Sequence, residues 1–262
     1  METNSQPLRG IHSNAGLTAA YRIKLLAFID EMEASIAYWL RAAYRAHEPA
    51  VAAMDASPVD EAQRYMDDLA RRWLRRIDES APKIAESYVT QQYKASNSAF
   101  RQALKDAGWT IDFKFTAPMR DTVNASIGEN IALIKSIPER YLSQVEGAVY
   151  RSYANGHDLQ TMVREIQEIY PVVRKRAIFI ARDQSNKLNA AVLRTRQLDL
   201  GITDAIWMHS GGGKKPRPDH VQAGSEHRRY KIADGCLISG KYIQPGVLPN
   251  CRCVGRCLLP GR

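Results

Sequence analysis

Four cysteines and a histidine-rich loop carry the chemistry available to this sequence. Cys251 and Cys253 flank a single arginine, Cys257 follows closely, and Cys236 and His220 lie upstream. Three sulfurs and one imidazole (Cys236, Cys251, Cys253 and His220) make a donor set that zinc accepts tetrahedrally in structural sites. His227 and Cys257 are substitute donors. The plainer reading is that Cys251 and Cys253 pack as small hydrophobes while His220 hydrogen-bonds a loop carbonyl. A second group, His209, Asp219, His220, Glu226 and His227, has the residue types of a metal-dependent phosphodiester hydrolase. No recognisable nuclease motif organises it, and polar loops collect such residues by default. The glycines at 211–213 do not make a phosphate loop, because no Gly-Lys-Ser/Thr follows and Pro216 and Pro218 should block a helix start there.

Charge supplies a second signal. The 262 residues carry a formal +9. From Arg174 to Arg262 there are 17 Lys and Arg against 6 Asp and Glu, a net of +11, while the first 173 residues are close to neutral. Such asymmetry suits contact with a polyanion, because each neutralised phosphate releases counterions. Arg174, Lys175, Arg176, Lys214, Lys215, Arg217, Arg228, Arg229 and Arg252 are the expected contacts to a nucleic-acid backbone, without readout of bases. A solvated basic face that only keeps the chain soluble is the alternative.

The elements that position these residues read as mainly α: a helical N-terminal body followed by a small, loop-rich α+β C-terminal module. Leu25, Ile29, Met32, Ile36, Trp39 and Ala43 recur at steps of four and three and predict one apolar face on a helix over about 19–47, ended by Glu48-Pro49. Ser57-Pro58 opens a second helix with Met66, Leu69, Trp73 and Ile77 inward, and Pro82 should kink it or start another. Residues 109–115 alternate large apolar and polar side chains as a short strand does. Helical periodicity returns with Val123, Ile127, Ile131 and Ile134. Pro138 fits the first turn of a further helix, which Gly156 closes, and Asp158 is placed to cap the next. Pro171 punctuates again, and a basic helix from about residue 174 stops at Gly201. Beyond it, runs such as 205–208 and 241–243 read as short strands among loops. The expected division is a flexible arm over 1–17, helical regions over 18–120 and 121–200, and the Cys/His module over 201–262.

The order Trp207, Arg217-Pro218-Asp219-His220, Gly224 and Pro249-Asn250-Cys251-Arg252-Cys253 resembles the C-terminal domain of phage head morphogenesis proteins, the Mu F-like minor head proteins of tailed bacteriophages. The helix carrying Ala181-Arg182-Asp183-Gln184-Ser185-Asn186, followed by Gly201-Ile202, looks like the same family, and the similarity covers roughly residues 131–253. This chain departs from the family pattern at its Gly211 to Lys215 run and at Asp183, where many relatives have Thr or Glu. The resemblance implies a non-enzymatic virion protein near the portal vertex or capsid interior, assembled in the host cytoplasm. Its implied partners are the portal protein, major capsid or scaffold proteins and non-specific double-stranded DNA, with roles in head morphogenesis and DNA packaging or ejection. A metal-dependent nuclease or toxin effector is the rival reading. No apolar run reaches the roughly 20 residues of a membrane helix, and the first residues lack a secretory signal, so a reducing cytoplasm and no membrane partner are expected.

Overall fold

A computed structural model of the chain describes residues 6–46, 58–154, 159–213 and 215–259. Among these, four long helices carry most of the chain: α1 (Ala15–Ala46), α2 (Pro58–Asp106), α3 (Ala117–Ala154) and α4 (Leu159–Asp199). A short fifth helix, α5 (Pro218–Ser225), lies among the strands β1 (Gln6–Pro7), β2 (Asp204–Met208), β3 (Arg229–Lys231), β4 (Cys236–Ile238), β5 (Lys241–Ile243) and β6 (Val254–Leu259). The fold is therefore mainly α with a small C-terminal region of short antiparallel strands. The expected helix end at Glu48-Pro49, Ser57 of the expected Ser57-Pro58 helix start, and Gly156 and Asp158 fall outside the described residues.

Compact units do not follow the expected sequential division. One comprises Met1–Ala19, Glu86–Gly128 and Ala181–Arg262, the other Ala20–Ala85 and Glu129–Ile180. All four long helices contribute residues to both.

In the second of these units the apolar stripes are buried as their spacing demands. Leu25, Ile29, Met32 and Ile36 of α1 and Met66, Leu69, Trp73 and Ile77 of α2 are all at most 6% exposed. Trp39 is a correction: it is 38% exposed, with the Arg72 guanidinium 5.5 Å from its ring, and Leu40 takes the buried place. Polar contacts fix the register. Trp73 donates to Ser35 at 3.3 Å, Tyr21 donates to Asn130 at 2.9 Å, and Tyr170 donates to Asp30 at 2.6 Å. Pro82, Pro138 and Pro171 neither end nor begin helices but lie inside α2, α3 and α4. An interior proline costs about 3 kcal/mol through its missing N–H and its clash with the preceding turn. Full burial of Ala81 and Ala85 beside Pro82, and of Ile137 and Tyr141 beside Pro138, offsets that cost.

The other unit positions the Cys/His residues. Gly201 ends α4 in the left-handed region (φ +70°), and Ile202 N–H returns to the Gln197 carbonyl at 2.9 Å, which turns the chain out of the helix. Strand β2 then lies between β3 and β6 in a four-stranded antiparallel sheet of order β1-β6-β2-β3, while β4 and β5 form a separate hairpin. The core beneath gathers Phe100 and Leu104 from α2, Leu193 from α4, Trp207 and Tyr230 from the strands, Ile232 just after β3, and Leu8 and Ile11 from the N-terminal segment. For residues 6–11 this corrects the expected flexible arm. Gln6 and Pro7 pair with Leu259 and Leu258, Leu8 N–H bonds the Cys257 carbonyl at 2.9 Å, and Leu8 and Ile11 are buried. Residues 109–115 form no strand. Trp109, Ile111 and Phe113 still turn to one side and pack on the core, with Phe113 stacked on Phe100 at 5.7 Å. The buried Arg196 guanidinium donates to the Lys114 carbonyl at 2.5 Å, in place of a neighbouring strand.

Candidate metal centre

Helix α5 begins at Pro218 itself. The expectation that Pro216 and Pro218 prevent a helix start does not hold, because proline at the first helical position gives up only an N–H that is unpaired there anyway. The helix turns His220 inward, where it is 2% exposed, against the edge of the fully buried Trp207 with ring centroids 5.0 Å apart. Gly224 lets α5 lie against the end of β2, since a Cβ there would come within 2.6 Å of His209 Cβ.

The Asn250-Cys251-Arg252-Cys253 loop is held against α4 by side chains from the Arg182 to Asn186 run. Arg182 donates to Asn250 Oδ1. Asp183 Oδ1 accepts the Asn250 main-chain N–H at 3.1 Å, and Asn186 Nδ2 donates to the Cys251 carbonyl at 3.0 Å. From the other side Arg217 donates to the Pro249 carbonyl at 3.0 Å. Asn250, at φ +60°, occupies a left-handed conformation that asparagine tolerates better than most residues. The two stretches that carry the family resemblance are thus one hydrogen-bonded construction.

That loop delivers Cys251 and Cys253, 3% and 5% exposed, to the imidazole. Cys251 Sγ lies 3.5 Å and Cys253 Sγ 3.7 Å from His220 Nδ1, and the three donor atoms are within 4.8 Å of one another. A zinc ion with bonds of about 2.3 Å to sulfur and 2.0–2.1 Å to nitrogen, at tetrahedral angles, holds its N and S ligands about 3.5 Å apart. The spacing therefore fits three corners of such a site. The two sulfurs are also shifted in opposite directions. A hydrogen bond from Cys253 holds Cys251 well below the usual thiol range against the effect of burial, helped by the main-chain N–H groups of Cys253 and Gly246 and by His220. The same bond, with burial, pushes Cys253 up, while Ser210 N–H and the Trp207 side chain act in the opposite sense. Among the described residues, His220 Nε2 and Trp207 Nε1 are buried without a hydrogen-bond partner of proper geometry.

The fourth expected ligand is not there. Cys236 is buried on β4 within the apolar core and is not part of the group. Its residue type suggested a ligand, but a free cysteine is also one of the commonest core residues. Cys257, one substitute, is buried on β6 with its thiol pushed up to about 12 by burial, and His227, the other, is exposed. The hydrolytic cluster is dispersed: His209 Nδ1 accepts Gly211 N–H, Asp219 accepts Ser239 Oγ, and Glu226 pairs with Arg228. Among the described residues only His220, Cys251 and Cys253 bring metal-ligating atoms together.

The basic residues separate into two kinds. Arg174 pairs with Asp30, Arg176 donates to Ser136, Arg228 pairs with Glu226, and Arg229 pairs with Asp204. Lys175, Lys215, Arg217 and Arg252 are exposed and have no carboxylate partner among the described residues, and Lys214 lies outside them. No helix of the described residues is long and apolar enough to cross a membrane.

Comparison with known proteins agrees with the geometry. An uncharacterized protein of Haemophilus influenzae is 35% identical over 134 residues, 51% of this chain, and the chain spans 29% of that relative's length. No solved structure matches. The family described as Phage Mu protein F like protein matches residues 143–256, from within α3 to β6 and including every side chain of the His220, Cys251 and Cys253 group. Over that stretch the chain is similar to the Mu F-like family.

Proposed function

We propose that this protein is a non-enzymatic minor head protein of a tailed bacteriophage, acting at the portal vertex in head morphogenesis and in DNA packaging or ejection. The observation that carries the reading is the coincidence of the family match with the clamped Asn250-Cys251-Arg252-Cys253 loop, a construction built for holding shape. Its partners are the portal protein, capsid or scaffold proteins and duplex DNA. In this reading His220, Cys251 and Cys253 hold a structural Zn2+ that ties α5 to the loop before β6, with the remaining coordination place left to a donor outside this trio. Bound zinc supplies a cross-link and no catalysis.

Lys215, Arg217 and Arg252 supply phosphate contacts without base readout. Replacing Lys215 and Arg217 by Glu in the full chain should weaken duplex binding equally on unrelated sequences and lower the salt slope by about 2. Localisation in an asymmetric reconstruction of the particle tests the principal claim. Density at the portal vertex is the expected result, and absence from purified particles overturns it. Elemental analysis of protein purified without added metal should find close to one zinc per chain.

A further inference from the structure

Beside the metal group, within the same compact unit, lies a cavity of about 130 Å³. Leu193 and Ala190 of α4, Ile232, Pro245 and Val254 give it an apolar floor. An engineered protein cavity of about 150 Å³ takes up benzene, so this one has room for a single six-membered ring.

Its polar lining is one-sided. Arg194, Arg252 and His12 line it, and among the described residues that do so there is no Asp or Glu. Arg194 is pinned in place, with Nε on the Ile232 carbonyl at 3.1 Å and Nη2 on the Ala233 carbonyl at 2.6 Å. Those bonds fix the guanidinium without neutralising it and leave Nη1 available. Arg252 stands exposed without a carboxylate partner. A held, uncompensated guanidinium such as that of Arg194 is what phosphate recognition uses, and both arginines are exposed, within reach of a phosphate at the mouth. Gln197 and Gln244 also line it, and the Gln244 amide is oriented by its bond to the Ile232 carbonyl at 2.9 Å. Burial holds the Tyr230 phenol above its ordinary range, so it stands beside the cavity as a neutral hydroxyl.

We propose that this cavity binds a pyrimidine nucleotide, with the ring on the apolar floor against the glutamine amides and the phosphate at Arg194 and Arg252. A free mononucleotide and an unpaired nucleotide at a DNA strand end share this chemistry. The inference does not depend on zinc or on the contact with duplex DNA.

Calorimetric titration of the full chain with dCMP, dTMP, deoxycytidine and inorganic phosphate tests it, with no duplex present. The expected result is saturable binding of dCMP and dTMP, at least tenfold weaker binding of deoxycytidine, and no comparable binding of inorganic phosphate. Arg252→Glu, at an exposed position, should weaken dCMP at least tenfold, and Ala190→Phe should abolish binding by filling the cavity. Should Ala190→Phe fail to fold, Arg252→Glu decides. A 5′-phosphorylated oligothymidylate that competes with dCMP assigns the site to strand ends, and failure to compete assigns it to free nucleotide. The proposal is overturned by no saturable binding up to millimolar dCMP, by phosphate binding as tightly as dCMP, or by wild-type affinity in Arg252→Glu.

Discussion

Asp183 is where the clamp on the Cys-x-Cys loop is most open to test. Its side chain is buried, accepts Asn250 N–H at 3.1 Å and pairs with Lys187 at 3.0 Å. Asp183→Ala deletes a hydrogen bond to a charged acceptor, which contributes about 1.5–3 kcal/mol. Asn250 is exposed, so water can take the abandoned N–H, and no second penalty for a buried orphan is added. The Lys187 side chain is 28% exposed, and weakening its pairing adds at most about 1 kcal/mol. The expected cost is therefore about 2–3 kcal/mol in denaturant unfolding. Asp183→Asn keeps an oxygen acceptor and should lose about half as much. Because the same bond orients the loop that carries Cys251 and Cys253, zinc should bind about 10- to 100-fold more weakly in Asp183→Ala, as when other outer supports of a metal site are removed. Unfolding within about 0.5 kcal/mol of wild type, together with unchanged zinc affinity, would refute the clamp.

Three further outcomes follow from burial and charge. Cys236→Ser should cost about 1–3 kcal/mol by placing a hydroxyl in an apolar core, yet leave the zinc content unchanged by elemental analysis; loss of zinc would return Cys236 to the ligand set. Ile36→Asp puts a carboxylate at a fully buried position of α1 and should cost about 3–5 kcal/mol in denaturant unfolding; a folded mutant that no longer enters particles would make this stripe a docking surface. Burial pushes Asp204 up, but Thr203, Lys231 and Arg229 together bring it down to about 2. Its contribution is thus complete above the ordinary carboxylate value near 3.8 and is lost as pH falls towards 2. Discounted for solvent screening at the start of a strand, it amounts to about 1 kcal/mol, and Asp204→Asn should flatten the stability profile between those two pH values.

What the sequence could and could not disclose divides along the range of the interactions. The stripes of α1 and α2 were legible because a 3.6-residue period is written locally, and Leu25, Ile29, Met32, Ile36, Met66, Leu69 and Ile77 are all buried as that period requires. Trp39 departs because it stands at the margin of the stripe, where a large ring lies half in solvent under Arg72. The alternation of 109–115 reads as a strand and none forms, because alternation specifies which side chains turn inward and not what meets the backbone; here that is Arg196, remote in sequence. The prolines misled for a related reason, since a local penalty of about 3 kcal/mol decides a helix boundary only where tertiary burial on both sides does not outweigh it.

At the site, residue types were legible and their geometry was not. Cys236, Cys251 and Cys253 are chemically equivalent donors in a sequence, and only the pairing of β4 with β5 and of β6 with β2 separates the first from the other two. Arg182, Asp183 and Asn186 could be seen as part of a recurring motif, but their work on the Asn250 loop depends on contacts spanning more than sixty positions. The N-terminal segment shows the same limit. Its Gly, Asn, Ser and Pro composition reads as a loose arm, and Leu8 and Ile11 are too few to carry a period, yet both are buried and their carbonyls are taken by Arg256 and Asn189. A short strand that adds to an existing edge needs only two or three anchored residues, because the sheet it joins supplies the order that the segment lacks by itself.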